Sequence, residues 1–427
     1  MPANVNPDVY LLYEYSPKTA FTVRMKYVLD EPIDEVLLRE AAQEAIGRFP
    51  YFAVSVGLDE GQNYTLEPNG EPLPVLPERD QYLELGGAET NGHLVAITWR
   101  DNAVWFSYAH SLCGATGALF WIKTTLYQYM TKKYGPMDPP RDLKKVGTPI
   151  GADEMAYPNA DDLPTDEPLV RYTGGNSNIG LSRMIAFMMD PTTRDKFYYE
   201  IELPEKEFIA YAKSIDGSPT TVLSALMVKA VARYFEEEEG EHLSVRIADD
   251  YRKDVCVPNS YRDFVRLLHV KYDWSAKDAS IERLSMAARG AIMTQALPEL
   301  SFERFRAIEE IRRGIDAQPD LASKQQYATA NSLYRTDARD TCTLSYVGQV
   351  DYGQMSEHIK GVYTITDGDM MLELNALPDT VCLSLQMINR EPELTELFCD
   401  VLREEQLPFT ISECKQRYLP SIKLPQA

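Results

Sequence analysis

The pattern of apolar and polar positions predicts alternating strands and helices in the first 135 residues. Apolar residues recur at every second position in strands and at three- to four-residue intervals in helices. On this basis we predict strands at residues 21–29, 51–58, 93–100 and 103–109, and helices at 34–47 and 115–134. The apolar stripe of the first helix is predicted to contain Val36, Leu37, Ala41 and Ile46. Asp101 and Asn102 suit a two-residue turn, which predicts a hairpin between the last two strands.

The second half repeats this mixture of strands and helices. Strands are predicted at residues 197–203, 243–248, 264–272, 341–347, 361–366, 370–377 and 380–387, and helices at 205–214, 220–237 and 391–405. Two or three further helices are predicted between residues 280 and 334. Ser218 followed by Pro219 is typical of a helix start. Hairpins mixed with helices predict an α+β protein of two similar lobes with mixed sheets.

The composition changes between the two halves. Seven prolines occur with many Asp and Gly residues between Gly135 and Gly180, where periodicity is weak. Such a stretch favours an irregular connector. The predicted organisation is therefore an N-terminal lobe at 1–135, a linker at 136–180 and a C-terminal lobe at 181–427.

Composition and charge narrow the classes of function. The 427 residues are 44% hydrophobic, which favours a folded protein with a large core. The chain has 43 Lys and Arg against 65 Asp and Glu, a net charge of −22. That charge argues against nucleic-acid and membrane partners. The six cysteines form no CxxC pair, and the first sixteen residues lack a signal-peptide pattern. We therefore expect reduced thiols and a cytoplasmic protein.

Few residues are candidates for chemistry. The sequence contains no P-loop, HExxH motif, dinucleotide fingerprint or Cys/His metal spacing, so no metal site is predicted. His110 stands out among the five histidines because it follows an apolar strand, residues 104–109, and precedes a helix. At such a turn a side chain can face a cavity while the flanking backbone stays fixed. The alternative is a hydrogen-bonded core histidine.

Several segments resemble the alcohol acetyltransferase and condensation-domain superfamily, which has the chloramphenicol acetyltransferase fold. They are residues 33–52, the strand-His-helix unit at 105–117, the Asp-x-Arg turn at 250–253, the Arg-Asp-Phe segment at 262–264 and the strand at 343–350. In these segments Asp263 stands in place of the family's Asn, and Tyr346 stands at another Asn position. The resemblance covers nearly the whole chain in the right order, and it implies two lobes with a channel between them.

The family motif His-x-x-x-Asp-Gly is incomplete here. Its His matches His110, but Gly114 occupies the Asp position and Ala115 the Gly position. In the family the His is the general base, and the Asp is mainly structural and usually pairs with an Arg of the second lobe. If Arg252 is that Arg, it needs another carboxylate, and the nearby candidates are Asp249, Asp250 and Asp254.

The resemblance implies acyl transfer with His110 as general base. Ser345 and Tyr346 are candidates for stabilising the oxyanion, although each could equally be an ordinary strand hydroxyl or a packed aromatic residue. Cys113 could form a covalent acyl-enzyme with His110, but a packing role at the helix start is favoured because no nearby acid orients the histidine.

Two hypotheses about function follow. The first is a CoA-dependent acyltransferase that moves an acetyl or short acyl group from a thioester to an alcohol or amine, with acyl-CoA as co-substrate and no bound cofactor. The second is a catalytically impaired protein of the same fold that acts as a binding or scaffold subunit, for example for a carrier protein. Two basic pairs are candidates for binding CoA phosphates, Lys144 with Lys145 and Arg312 with Arg313, although a solvated surface role is the alternative for both.

Overall fold

A computed structural model describes residues 7–16, 19–171, 196–236, 242–333, 340–368, 370–387 and 392–426, and the structural statements below concern these residues. The strands are β1 (Thr22–Leu29), β2 (Val54–Leu58), β3 (Tyr64–Pro68), β4 (Val75–Pro77), β5 (Glu84–Leu85), β6 (Val95–Arg100), β7 (Ala103–Ala109), β8 (Lys196–Pro204), β9 (His242–Asp250), β10 (Val265–Asp273), β11 (Cys342–Gln349), β12 (Ile359–Ile365), β13 (Met370–Ala376), β14 (Thr380–Met387), β15 (Thr410–Ile411), β16 (Lys415–Arg417) and β17 (Ser421–Ile422). The α-helices are α1 (Glu35–Arg48), α2 (Ala115–Tyr134), α3 (Glu205–Ser214), α4 (Pro219–Tyr234), α5 (Ile281–Gln295), α6 (Pro298–Asp316), α7 (Leu321–Ala330) and α8 (Pro392–Glu404). None of these helices is long and apolar enough to cross a membrane.

The first sheet has five strands within the described residues, in the order β12-β1-β7-β6-β4. All neighbouring strands are antiparallel except β4 and β6. The predicted hairpin is present, since β6 and β7 pair across Asp101 and Asn102. The side chains of β7 are buried along its whole length, so this strand lies at the centre of the lobe.

Helices α1 and α2 pack against each other and share one apolar core with this sheet. The side chain of Asp34 caps α1 by accepting hydrogen bonds from two backbone N–H groups of its first turn. Ala41 and Ile46 lie in the core as predicted, but Val36 is 66% exposed. Its predicted burial is wrong because the first buried residue of α1 is Leu38, two positions further on, and residues two apart lie on opposite faces of a helix.

The second sheet has eight strands within the described part of the chain, and it is mixed. Its order is β10-β9-β11-β13-β14-β8-β15, with β16 also paired to β8. Strand β11 runs parallel to both β9 and β13, whereas β13, β14 and β8 are antiparallel. Helix α4 packs between α5 and α8 over the apolar face of this sheet. Ser218 caps α4 and Pro219 is its first residue, as predicted. The α+β fold with mixed sheets is therefore confirmed.

One strand of the second half belongs to the first sheet. Strand β12 pairs antiparallel with β1, with Arg24 opposite Ile365. At the C-terminal end, β17 likewise pairs with β5 of the first half. The predicted lobe boundaries at residues 135 and 181 remain predictions. Hydrogen bonding shows that β12 and β17 of the second half each pair with a strand of the first half.

Part of the predicted linker is packed against the protein. Glu154 is buried and forms an ion pair with Arg48, with Oε1 2.6 Å from Nη2. Tyr157 packs against Phe264 and Phe305 of the second half. Residues 172–180 of the predicted linker lie outside the described residues. The described part of this segment therefore contacts both halves rather than only joining them.

A short 3-10 helix, Pro7–Glu14, was not predicted. Its eight residues are all buried, including the carboxyl-bearing Asp8 and Glu14. The segment has no helical or strand periodicity, because its residues are enclosed by elements distant in sequence. It contacts α6, α7 and β3 and brings Asp8 close to the residues around His110.

Candidate functional site

His110 is the first residue after β7, and its backbone is held firmly. Its N–H donates a 2.6 Å hydrogen bond to the carbonyl of Phe21, which directly precedes β1. The Leu112 N–H bonds to the carbonyl of Ala109 and closes the turn that leads into α2. The His110 side chain is 27% exposed. The imidazole is therefore accessible on a rigid frame between a central strand and a helix N-terminus.

Asp263 is the acidic partner of this histidine. His110 Nδ1 lies 3.3 Å from Asp263 Oδ2, a charge contact without good hydrogen-bond alignment. Burial alone would lower the pKa of His110, but the nearby carboxylate of Asp263 outweighs this and raises it above 6.5. Catalytic hydrogen bonds are often long before substrate binds. A contact through Nδ1 leaves Nε2 as the basic nitrogen.

The carboxyl group of Asp263 occupies the space beside Gly114. A Cβ atom at Gly114 would lie 2.6 Å from Asp263 Oδ1. Gly114 is also the N-cap residue of α2 and provides no side-chain cap. Two of the departures from the family pattern, Gly114 and Asp263, therefore lie side by side in the folded protein.

The segment before Asp263 is clamped against the start of α2. Tyr261 stacks on Tyr51, with ring centroids 4.0 Å apart. Its N–H donates a 2.9 Å hydrogen bond to the carbonyl of Glu154. Its own carbonyl faces Gly117, where a Cβ atom would lie only 1.8 Å from that oxygen. Asp263 thus reaches His110 from a segment whose backbone is fixed by both halves of the protein.

Asp8 adds a second buried carboxyl group. The Asp263 N–H donates a 3.0 Å hydrogen bond to Asp8 Oδ2. Burial and the charge of Asp263 raise the pKa of Asp8 to about 7, although the Asp263 N–H and the charges of Arg262 and Arg312 oppose this rise. Two carboxylates in one buried site repel each other, and protonation of either one removes this repulsion.

Arg252 is paired within its own turn. Its Nε lies 3.0 Å from Asp250 Oδ1, although the N–H is not aimed at that oxygen, and its Nη2 donates to the carbonyl of Arg262. Asp250 Oδ2 also accepts a 2.9 Å hydrogen bond from Thr116 in α2. Of the three predicted carboxylate partners, Asp250 is the one observed, because Asp249 and Asp254 both pair with Arg266. Arg252 therefore has a carboxylate partner although position 114 carries none.

Ser345 and Tyr346 lie on opposite faces of β11. The Tyr346 ring packs against the apolar core of the second half. Ser345 lies opposite Glu373 of β13 in the parallel register, and its hydroxyl hydrogen-bonds with the Glu373 carboxyl. Adjacent residues of a strand point to opposite faces, so this second face carries polar groups. The oxyanion roles predicted for Ser345 and Tyr346 stay predictions.

Glu373 is buried near His110. Burial raises the pKa of its carboxyl to about 7, and the hydrogen bond with Ser345 and the charge of His110 oppose the rise only partly. A neutral carboxyl can donate its proton to Ser345 Oγ, which leaves the serine O–H free to donate elsewhere. The Asp263 carboxyl group therefore contacts His110 Nδ1, and the Glu373 carboxyl group lies nearby, beside Ser345.

We expect Glu373→Gln to stabilise the protein more at pH 8 than at pH 5. A raised carboxyl pKa contributes stability that is complete below 4.5 and is lost as the pH rises through about 7. The glutamine cannot ionise, so its advantage over wild type should grow by about 1 to 2 kcal/mol between the two pH values. Urea unfolding at each pH measures this difference. Glu60→Gln, at an exposed position, is the control, and an equal gain at both pH values for Glu373→Gln would contradict the prediction.

The remaining candidates from the sequence are Cys113 and the two basic pairs, and the structure gives Cys113, Arg312 and Lys144 specific neighbours. Cys113 is buried, and burial together with nearby carboxylates raises its pKa well above 9, which favours the packing role over a thiolate nucleophile. Arg312 pairs with Glu309 and contacts the Tyr157 hydroxyl, so its guanidinium belongs to an internal network. The Lys144 ammonium lies 5.1 Å from the ring centre of Phe120.

Three acidic residues near His110 were missed as site residues by sequence reasoning. Asp263 was recognised only as a departure from Asn, and Asp8 lies in a segment without periodicity. Glu373 had a usable signal, because it is the one charged residue in the apolar run Met370–Ala376. A carboxyl group in a buried strand indicates a specific partner.

Comparison with solved structures identifies the fold. F. graminearum TRI101, complexed with coenzyme A and T-2 mycotoxin, superposes with a TM-score of 0.59 at 13% identity, over 95% of this chain and 99% of that chain. TRI3 trichothecene 15-O-acetyltransferase from Fusarium sporotrichioides gives 0.54 at 10% identity, over 94% and 93%. The first condensation domain of the CDA synthetase gives 0.53 at 14% identity, over 94% and 95%. The protein has the chloramphenicol acetyltransferase-like fold.

This fold confirms the resemblance drawn from the sequence. No protein-family model matches the chain, and no curated sequence matches it. At 10 to 14% identity the similarity concerns architecture, which it covers almost end to end in both directions. The chemistry of this chain has to be argued from its own residues.

Proposed function

We propose that the protein is a CoA-dependent acyltransferase with His110 as general base. The observation that carries the proposal is the His110–Asp263 contact at the end of β7, in a fold whose solved members include a trichothecene acetyltransferase and a protein complexed with coenzyme A. An accessible imidazole, oriented through Nδ1 by a carboxylate, suits proton abstraction near neutral pH.

The reaction follows from the groups around His110. Its Nε2 takes the proton of the acceptor hydroxyl or amine, and the acceptor atom attacks the thioester carbonyl. The resulting oxyanion needs a donor in place. We assign that donor to Ser345 rather than to Tyr346, because Ser345 shares its face with Glu373 and Tyr346 packs into the opposite core. Collapse of the intermediate breaks the C–S bond, and the imidazolium returns the proton to the leaving thiolate.

Asp263 also bears on the hypothesis of a non-catalytic scaffold. That hypothesis rested on Gly114 and Ala115 in the family motif. A carboxyl group nevertheless lies beside Gly114, supplied by Asp263 from the second half of the chain. The incomplete motif is therefore a weaker argument against catalysis than its sequence suggests. A carrier-bound acyl thioester remains a second possible donor class, since a condensation domain shares the fold.

We expect the purified protein to release free thiol from acetyl-CoA or a short acyl-CoA when a suitable alcohol or amine is present. A thiol-reactive dye follows the release, and mass spectrometry of the acceptor distinguishes transfer from thioester hydrolysis. The donor panel should include the same acyl groups on a phosphopantetheine-loaded carrier protein. Acylated acceptor with either donor supports the proposal, whereas no transfer from any donor to any acceptor would favour the scaffold hypothesis.

A further inference from the structure

Two of the departures from the family pattern, Gly114 and Asp263, are adjacent in space although 149 positions separate them in the sequence. The distance between Asp263 Oδ1 and a Cβ atom built on Gly114 is only 2.6 Å. A side chain at position 114 and the present Asp263 conformation therefore compete for one volume. The same volume borders His110, since Asp263 Oδ2 lies 3.3 Å from Nδ1.

We propose that Asp263 is the positioning residue of His110 and supplies it, from the second half of the chain, with a carboxylate at Nδ1, in a volume that a side chain at position 114 would share. The arginine-pairing role of the motif Asp is filled separately, by Asp250 beside Arg252. This inference rests on the proposed function in so far as His110 is the base. The pairing itself is a property of the folded protein that can be measured without any substrate.

The surroundings keep Asp263 in place. Its backbone N–H is bonded to Asp8, and the residue two positions earlier, Tyr261, is stacked on Tyr51. Asp263 is 6% exposed at its side chain, so its charge is only weakly screened by solvent where it meets His110. A carboxylate on this clamped segment can hold the imidazole orientation more rigidly than one on a mobile loop.

Three carboxyl groups act on the titration of His110. Asp263 lies closest to Nδ1, Asp8 lies behind Asp263, and Glu373 interacts from the second sheet. Burial opposes them by disfavouring the imidazolium, and the net direction of the His110 pKa is upward. Loss of the Asp263 charge should therefore move the His110 pKa downward, because the nearest opposite charge is removed while burial remains.

The first test uses Asp263→Asn, which keeps the shape and removes the charge. Proton NMR of the imidazole signals gives the pKa of each of the five histidines, and His110 is assigned from its missing signal in His110→Ala. We expect the His110 pKa to fall by about one pH unit or more. In the acyl-transfer assay the acidic limb of the kcat profile should move to lower pH, and kcat on the plateau should fall by about 10- to 100-fold with little change in KM for the donor.

The second test relocates the charge. Asp263→Ala with Gly114→Asp empties the shared volume and supplies a carboxylate from the other side. Asp263→Ala with Gly114→Asn is the matched control, with the same shape and no charge. We expect the charged pair of substitutions to restore much of the His110 pKa and the kcat, and the neutral pair to restore neither. Thermal unfolding of all variants separates these effects from loss of the folded state.

The inference is overturned if Asp263→Asn leaves the His110 titration unchanged, or if the neutral double variant restores it as well as the charged one. If wild type showed no acyl transfer, the NMR titrations would still decide whether Asp263 controls His110. Failure of the proposed function and failure of the pairing are therefore distinguishable.

Discussion

Acyl transfer should fall by about 10²- to 10⁴-fold in His110→Ala, the range typical of general-base assistance. No other histidine in the described residues shares its place beside Asp263, at the junction of β7 and α2. The fold should survive the substitution, because the backbone bond from the His110 N–H to Phe21 does not involve the side chain. Thiol release and acceptor mass, measured beside a thermal unfolding curve, check both expectations.

The chain offers a closely matched control in His358→Ala. His358 Nδ1 contacts Asp30 Oδ2 at 2.9 Å, and its side chain is 24% exposed, close to the value for His110. It stacks on Tyr134, at the far end of α2 from His110. Removing this second His–Asp contact should leave kcat unchanged. Equal losses in the two variants, or unchanged turnover in His110→Ala, would refute the proposed mechanism.

We expect Gly117→Ala to lower the free energy of unfolding by about 3 kcal/mol and also to weaken catalysis. The new methyl group would lie 1.8 Å from the carbonyl oxygen of Tyr261, which is backbone and cannot rotate away. Overpacking of this kind forces a backbone shift. The segment that must shift carries Asp263, so the distance from its carboxylate to His110 should change as well. Urea unfolding gives the stability and the His110 titration gives the local effect.

Gly290→Ala is the control for that experiment. Gly290 is exposed in α5, and a Cβ atom there would contact nothing within 4 Å. Replacing a glycine inside a helix by alanine at an open site should stabilise the protein by about 0.5 to 1 kcal/mol. The two Gly→Ala substitutions are therefore expected to have opposite signs. Equal stability of the two variants would contradict the close approach of Tyr261 to α2.

Local periodicity determined most helices and the longer strands of this protein. The predicted range 115–134 coincides with α2, and 103–109 coincides with β7. Helix α2 carries apolar residues at helical spacing, and β7 is apolar except at Ser107, so their type follows from short-range pattern. Val36 shows the limit of the method, because an apolar residue in the first turn of a helix can lie on the face opposite to the packed one and remain exposed to solvent.

The sequence also indicated the fold family and singled out His110, because a buried strand that runs directly into a helix places that residue at a rigid junction. It could not show that β12 pairs with β1, since a strand pattern specifies a side-chain face and not a partner.

The acidic partner of His110 was decided by tertiary structure alone. In the sequence, Gly114 is a missing carboxylate and Asp263 an unrelated departure. Packing of Tyr261 against Gly117 and Tyr51 places the second half so that Asp263 fills the space beside Gly114. Burial then raises the pKa of Asp8 and of Glu373, which the composition of their segments does not encode. Residue types and local order come from the sequence, whereas electrostatic partners depend on distances that only the folded chain sets.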